Sequence, residues 1–263
     1  MTISPEIQYA PLSTAGLEGK IALVTGGTRG IGKGIVLALA AAGARVVVTG
    51  RGQANAEDVL SEVRARGGEG GFVAADLFAD DDVEALVGKT VAEFGGLDIL
   101  VNNAGIDADG LALDYPLESW QRILRFNLEV PFRLCQQAGK HMIANGGGAI
   151  INIASVLAFV GVQEASSYAA SKHGLIGLTK NLAIEWSSQG VRVNAVAPGL
   201  IQTDMTQYLW QSEYAEAYIS GRIPQGRIGQ PNDIGGAVVF LASPSAKFIH
   251  GQTIAVDGGF LAT

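Results

Sequence analysis

The sequence predicts an α/β fold: one doubly wound parallel sheet of seven strands, with helices on both faces. Three observations predict it. Short apolar, β-branched runs alternate with longer helical patterns along the chain. Most of the short runs are apolar at consecutive positions, as a sheet covered on both faces requires. Each run leads into a helical stretch before the next, and that repetition calls for parallel strands joined by right-handed crossovers.

Taken in order, the expected strands are Ile21–Thr25, Arg45–Thr49, Gly71–Ala75, Ile99–Val101, Ala149–Ala154, Arg192–Ala195 and Thr253–Val256. The expected helices are 30–42, 54–66, 80–94, 117–144, 166–188 and 231–242. Glycine clusters at 26–34, 67–71 and 146–148 are short and punctuate elements rather than link domains. No repeat or low-complexity linker divides the chain, so residues 17–263 are expected to form a single domain. At 263 residues and 48% hydrophobic, such a domain can bury a large core. Residues 1–16 lack a basic start and an apolar run. They are read as a flexible N-terminal arm, not a secretory signal. The stretch 200–224, with Tyr208, Leu209, Trp210, Tyr214 and Tyr218, fits neither the alternation nor a tight turn. It is either a lid over a substrate or a pair of helices packed on the body.

Composition excludes several classes. A formal net charge of −7 argues against a nucleic-acid partner, which wants a basic face. No run of about 18 apolar residues suggests a membrane span. The single cysteine, Cys135, allows no intrachain disulfide and fits a cytoplasmic setting. Three scattered histidines have no metal-ligand spacing, so no metal site is expected.

The first expected strand runs into Thr25-Gly26-Gly27-Thr28-Arg29-Gly30-Ile31-Gly32. The spacing is not the common G-x-G-x-x-G, yet glycines here permit a tight strand-to-helix turn and close backbone approach to a pyrophosphate. The following helix points free N–H groups at such an anion. Downstream, Ser155 follows the fifth strand, where ligands bind in open parallel sheets. Tyr168 and Lys172, at i and i+4, share a helix face. An ammonium near the phenol is expected to lower its pKa and tune it as a general acid/base. Ser155 can stabilise charge on a reacting oxygen. The set points to hydride exchange between a nicotinamide cofactor and a ketone or secondary alcohol.

Together these residues resemble the short-chain dehydrogenase/reductase family, from about Leu17 to Phe260. The resemblance implies a Rossmann-type sheet and a catalytic set of Asn127, Ser155, Tyr168 and Lys172, with Asn127 holding a relay water. It implies cofactor contacts from Gly26, Thr28, Arg29, Gly30, Ile31 and Gly32, and from Asp76 and Leu77 at the adenine. It adds Asn103, Ala104 and Gly105 after the fourth strand, and Pro198, Gly199, Ile201 and Thr203 at the nicotinamide carboxamide. Tyr168 and Lys172 also belong to the cofactor set, Lys172 through the nicotinamide ribose. Asp76 has a plainer alternative, as a turn cap. Family members resembling this chain pair their subunits through helices corresponding to 117–144 and 166–188, so a homotetramer is expected, with Ile254–Leu261 as a second interface.

Cofactor choice turns on the end of the second strand. An acid there would bond the adenosine ribose and favour NAD. Gly50 stands in that place and Arg51 follows. Arg29 and Arg51 together suit a 2′-phosphate, so NADP is favoured. NAD stays usable if Arg51 only stacks on adenine. Two substrate classes remain open, ketoacyl thioesters on a carrier protein and sugars or polyols. Gln163 and Glu164 would suit the hydroxyl-rich class or are simply solvated. A non-catalytic dinucleotide-binding regulator is the competing reading, and the complete set of four residues argues against it.

Overall fold

Seven strands assemble in the order β3-β2-β1-β4-β5-β6-β7, every pair parallel. The computed structural model describes residues 16–213 and 215–263. The expected arm lies outside the described residues except for Gly16, as does Tyr214. The strands are β1 (Ile21–Thr25), β2 (Arg45–Gly50), β3 (Gly70–Ala74), β4 (Ile99–Asn102), β5 (Gly148–Ile153), β6 (Val191–Pro198) and β7 (Thr253–Val256). The helices are α1 (Gly30–Ala41), α2 (Gln53–Ala65), α3 (Asp80–Phe94), α4 (Leu117–Leu124), α5 (Val130–Ala144), α6 (Ser166–Trp186), α7 (Gln207–Trp210), α8 (Ala215–Arg222) and α9 (Pro231–Ala242).

The consecutive apolar runs are explained by two separate cores, one on each face. Ala22, Val24, Val46, Val48, Ile99 and Val101 point to the face covered by α1, α2 and α9. Their neighbours Leu23, Val47 and Leu100 point to the face covered by α3, α5 and α6. With period-2 side chains and both faces covered, the central strands have no solvent side, while the edge strands β3 and β7 each expose one residue, Ala74 and Ala255. Helix ends follow local rules. Asp80, Asp81 and Asp82 crowd the first turn of α3, at its positive dipole end. Gly95 closes that helix in the left-handed region, at φ 90°. Pro231 opens α9, where a missing N–H costs nothing.

Two expectations are corrected. The helix expected over 117–144 is not continuous: a π turn, Arg125–Glu129, separates α4 from α5. Pro131 has no N–H to give the Asn127 carbonyl four residues back, so the regular ladder cannot run through this point. β6 also extends three residues past the expected Ala195, because Val196, Ala197 and Pro198 pair with Ile254, Ala255 and Val256 of β7.

The chain leaves β1 to build β2 and β3 on one side, then returns to build β4 on the other. At that reversal the loops after β1 and β4 diverge and leave a crevice at the carboxyl ends of the strands.

Candidate active site

The crevice is a cleft of about 800 Å³, near the upper end of the ~300–1,000 Å³ usual for ligand sites. Its first wall is the glycine loop. A Cβ at Gly26 would stand 3.1 Å from Ala104 Cα, and Gly26 and Gly30 have φ of 63° and 51°. A Cβ at Gly32 would collide with the Gly26 carbonyl oxygen. The loop is stapled to the strand beside it. Asn103 Nδ2 donates to the Thr25 and Gly26 carbonyls at 2.8 and 3.2 Å. Thr25 Oγ1 accepts from the Asn103 and Ala104 amides at 2.9 and 3.0 Å. The result is a rigid backbone cradle leading into the N-terminus of α1, which fits a dinucleotide pyrophosphate.

The outer end of the cleft is lined by Gly50 and Arg51 after β2, and by Asp76, Leu77 and Phe78 after β3. Arg51 is exposed. Arg29 is exposed too, and its guanidinium pairs with Asp204 at 3.3 Å. Such a pair between exposed groups contributes only ~0–1 kcal/mol, so Arg29 can exchange it for a phosphate. Asp76 does cap a turn, accepting from the Phe78 amide at 3.0 Å, and it lines the cleft as well. Arg122 stacks over the Phe78 ring at 4.7 Å and also lines the cleft. Neither Arg122 nor Phe78 is legible as a site residue in sequence, because their pairing joins α4 to the loop after β3.

Ser155, Tyr168 and Lys172 meet at the inner end. Ser155 Oγ accepts from the Leu157 amide at 3.1 Å, which holds the hydroxyl at the strand end. Lys172 is buried; its Nζ donates to the Ile153 carbonyl at 2.9 Å and stands 5.4 Å from the centroid of the Tyr168 ring. Burial pulls the Lys172 ammonium down to about 8, against the opposing pull of the Asp107 carboxylate. The expected lowering of Tyr168 by Lys172 is corrected. Burial, with Asp107 adding to it, pushes the phenol above its ordinary value, and the Ser155 hydroxyl pulls it partly back. Desolvation is the largest of these effects, because a phenolate loses more hydration than the neutral phenol. Tyr168 is therefore held as a proton-bearing phenol.

Asn127 sits behind this floor rather than on it. It is fully buried in the π turn. Its Oδ1 accepts from the Ile106 amide at 2.9 Å, and its Nδ2 donates to the Ile106 carbonyl at 2.8 Å and to Ser171 Oγ at 3.2 Å. All eighteen expected cofactor-contacting residues line the one cleft. Pro198, Gly199, Ile201 and Thr203 do so from the end of β6, where Thr203 and Thr206 cap each other across a turn and Trp210 Nε1 donates to the Thr203 carbonyl at 3.2 Å. Tyr208 lines it from the stretch expected as a lid, whereas sequence reasoning missed Asp107, Asp109 and Asp204, which also line it. Their signal was weak, since loop acids are normally solvated.

A glycine cradle at the reversal of a doubly wound sheet, with a serine, tyrosine and lysine converging beside it, defines a dinucleotide-dependent oxidoreductase. The comparisons with known proteins agree. A family model described as enoyl-(acyl carrier protein) reductase matches residues 26–261. The chain is 45% identical over 252 residues to 2-dehydro-3-deoxy-D-gluconate 5-dehydrogenase of Escherichia coli (strain K12), covering 95% of this chain and 99% of that one. It is 44% identical over 241 residues to a 3-oxoacyl-[acyl-carrier-protein] reductase of Staphylococcus aureus (strain N315), covering 91% and 97%. The crystal structure of a gluconate 5-dehydrogenase from Burkholderia cenocepacia J2315 in complex with NADP and tartrate superposes with a TM-score of 0.90 at 35% identity, covering 94% and 97%. The chain belongs to the short-chain dehydrogenase/reductase family. It is an NAD(P)-dependent oxidoreductase acting on a ketone/secondary-alcohol pair.

Proposed function

We propose that Tyr168 donates the proton to the carbonyl oxygen in reduction and takes it back in oxidation. The carrying observation is the meeting of Ser155, Tyr168 and Lys172 at the inner end of a cleft whose other walls are the glycine loop and the segment after β6. When bound, the nicotinamide supplies or accepts the hydride at the substrate carbon. Ser155 hydrogen-bonds the reacting oxygen and stabilises charge that develops there. Burial keeps the Tyr168 proton in place until that oxygen claims it. Lys172 binds the nicotinamide ribose and, with an ammonium near 8, restores the proton on Tyr168 around neutral pH. Asn127 holds the Ile106 backbone and anchors the water that refills the lysine.

Arg29 and Arg51 favour NADP through its 2′-phosphate, a reading supported by the NADP complex of the Burkholderia relative. Residues 200–224 act as the substrate lid, supported by Ile201, Thr203 and Tyr208 facing the cleft. The enzyme works in the cytoplasm as a homotetramer built on the faces of α5 and α6; a 27.2 kDa particle by light scattering would refute the assembly. Among the described residues, no helix is long and apolar enough to cross a membrane. Tyr168→Phe tests the central claim. Turnover is expected to fall by at least about 100-fold with nicotinamide binding retained, and near-normal turnover would refute it.

A further inference from the structure

The loop that follows β4 faces the reacting end of the cleft with two carboxylates, Asp107 and Asp109. It is a built wall, not a loose loop. Both backbone groups of Ile106 are held by Asn127. The Ala108 carbonyl accepts from Tyr115 Oη at 2.9 Å, and that hydroxyl accepts in turn from buried Ser167, next to Tyr168, at 3.0 Å. The Gly110 amide donates to the Glu164 carbonyl at 3.0 Å. Glu164 is, among the described residues, the one non-glycine with positive φ, at 67°, so backbone strain is accepted here. These contacts lock the loop to the segment that opens α6.

Asp107 lines the cleft from this loop and keeps part of its surface in solvent. Its Oδ1 accepts from the Ala108 amide at 2.8 Å, and its charge acts on Tyr168, Lys172 and the lid residue Tyr208. Loss of solvent raises the Asp107 carboxyl above its ordinary value, and Asp109 adds to this, while the Ala108 amide and Lys172 oppose it. The cations that line the cleft are paired or lie at its outer end. Arg29 is paired with Asp204, Arg51 follows β2 at the outer end, Arg122 lies over Phe78, and Lys172 bonds the Ile153 carbonyl. A substrate carboxylate at this end would meet Asp107 and Asp109 with no arginine to receive it. Substrate hydroxyls would meet acceptors.

We propose that Asp107, backed by Asp109, makes this enzyme selective for uncharged, polyhydroxylated substrates and against sugar acids and acidic carrier-borne acyl groups. This rests on reading the cleft as the hydride-transfer site. A carboxylate wall accepts several hydroxyl donors at once, while like charges brought together in a confined site repel. The chain would then differ in substrate charge from relatives whose names carry a gluconate.

The test compares D-sorbitol with D-gluconate, and xylitol with xylonate, pairs that differ chiefly at one terminal carbon. The wild-type enzyme with NADP⁺ is expected to favour the polyol in kcat/KM by at least about tenfold, equivalent to ~1.4 kcal/mol. Asp107→Asn is expected to narrow that ratio at least threefold, by lowering KM for the acid. Wild-type preference for the acid, or a ratio unchanged in Asp107→Asn, would overturn the proposal. Calorimetric titration of each pair into the enzyme–NADP complex gives a second readout. If no alcohol is turned over, the hydride-transfer reading fails, yet tighter polyol than acid binding, lost in Asp107→Asn, still supports the charge selection. Equal binding of both, or no polyol binding, overturns it.

Discussion

The two ends of the cleft are built from different materials. The cofactor end is mostly backbone, and its limits are steric: Gly32 leaves no room for a Cβ, Gly26 takes a positive φ close against Ala104, and Asn103 clamps the loop through main-chain carbonyls. The substrate end is mostly side chains, gathered from the segments after β4, β5 and β6 and from α6. Its limits are electrostatic: Lys172 is buried and Tyr168 half-buried, both are shifted, and Asp107 bears on both. A substitution at the first end should act through binding, and one at the second through charge and rate. The two ends can therefore be broken separately.

The largest effect is expected from Lys172→Met. In the folded chain the ammonium titrates at about 8, against an ordinary 10.5. Between those values the unfolded chain binds the proton that the folded chain has lost, so wild-type stability rises with pH. Below about pH 8 the full cost of burying the charge is present. The methionine variant lacks this cost, which is on the order of 3 kcal/mol. It should therefore unfold at higher denaturant than wild type at pH 7, with the gap closing as pH approaches 10. Above pH 10 the raised Tyr168 pulls the other way, because the folded chain keeps a proton that the unfolded one loses. A pH-independent gap in chemical denaturation would show that Lys172 is not held as described.

Gly32→Ala comes next and should break the other end. The added methyl collides with the Gly26 carbonyl, a fixed backbone atom. Overpacking of this kind costs about 1–3 kcal/mol. Nicotinamide binding should weaken by roughly 10- to 100-fold, equally for NAD and NADP, because the injury is to the shared pyrophosphate cradle. Fluorescence titration with both nicotinamides checks this; a selective loss of one would contradict the steric account.

Arg51→Ala is the finest probe. It leaves the cradle intact and removes one charged donor from the 2′-phosphate. NADP binding should weaken about tenfold, ~1.4 kcal/mol, with NAD little changed. Adding Gly50→Asp should move preference further toward NAD, with a small adjustment by Thr28, whose Cγ2 would lie 3.3 Å from the new Cβ. Equal effects of Arg51→Ala on both nicotinamides would place the discrimination elsewhere, with Arg29 the next candidate.

What was legible in the sequence divides along the same line. The strands were readable because burial on both faces forces consecutive apolar residues, as in Val46, Val47 and Val48. The cofactor end was readable because its steric demands write glycines into short contiguous runs. The helix over 117–144 was misread as continuous, although Pro131 carried the warning. The direction of the Tyr168 shift was misread as well, since spacing reveals a nearby lysine and says nothing about how much water either group keeps.

The sequence by itself determined the doubly wound fold, the glycine cradle and the Tyr168–Lys172 pair, because each is encoded by local pattern or by spacing within one element. Only the tertiary structure decided that Asn127 supports the floor from behind, that Arg29 meets Asp204, and that Asp107 faces Tyr168 from a loop locked to the start of α6. These relations join segments far apart in the chain. Charge and desolvation depend on distance in space, which no local pattern records.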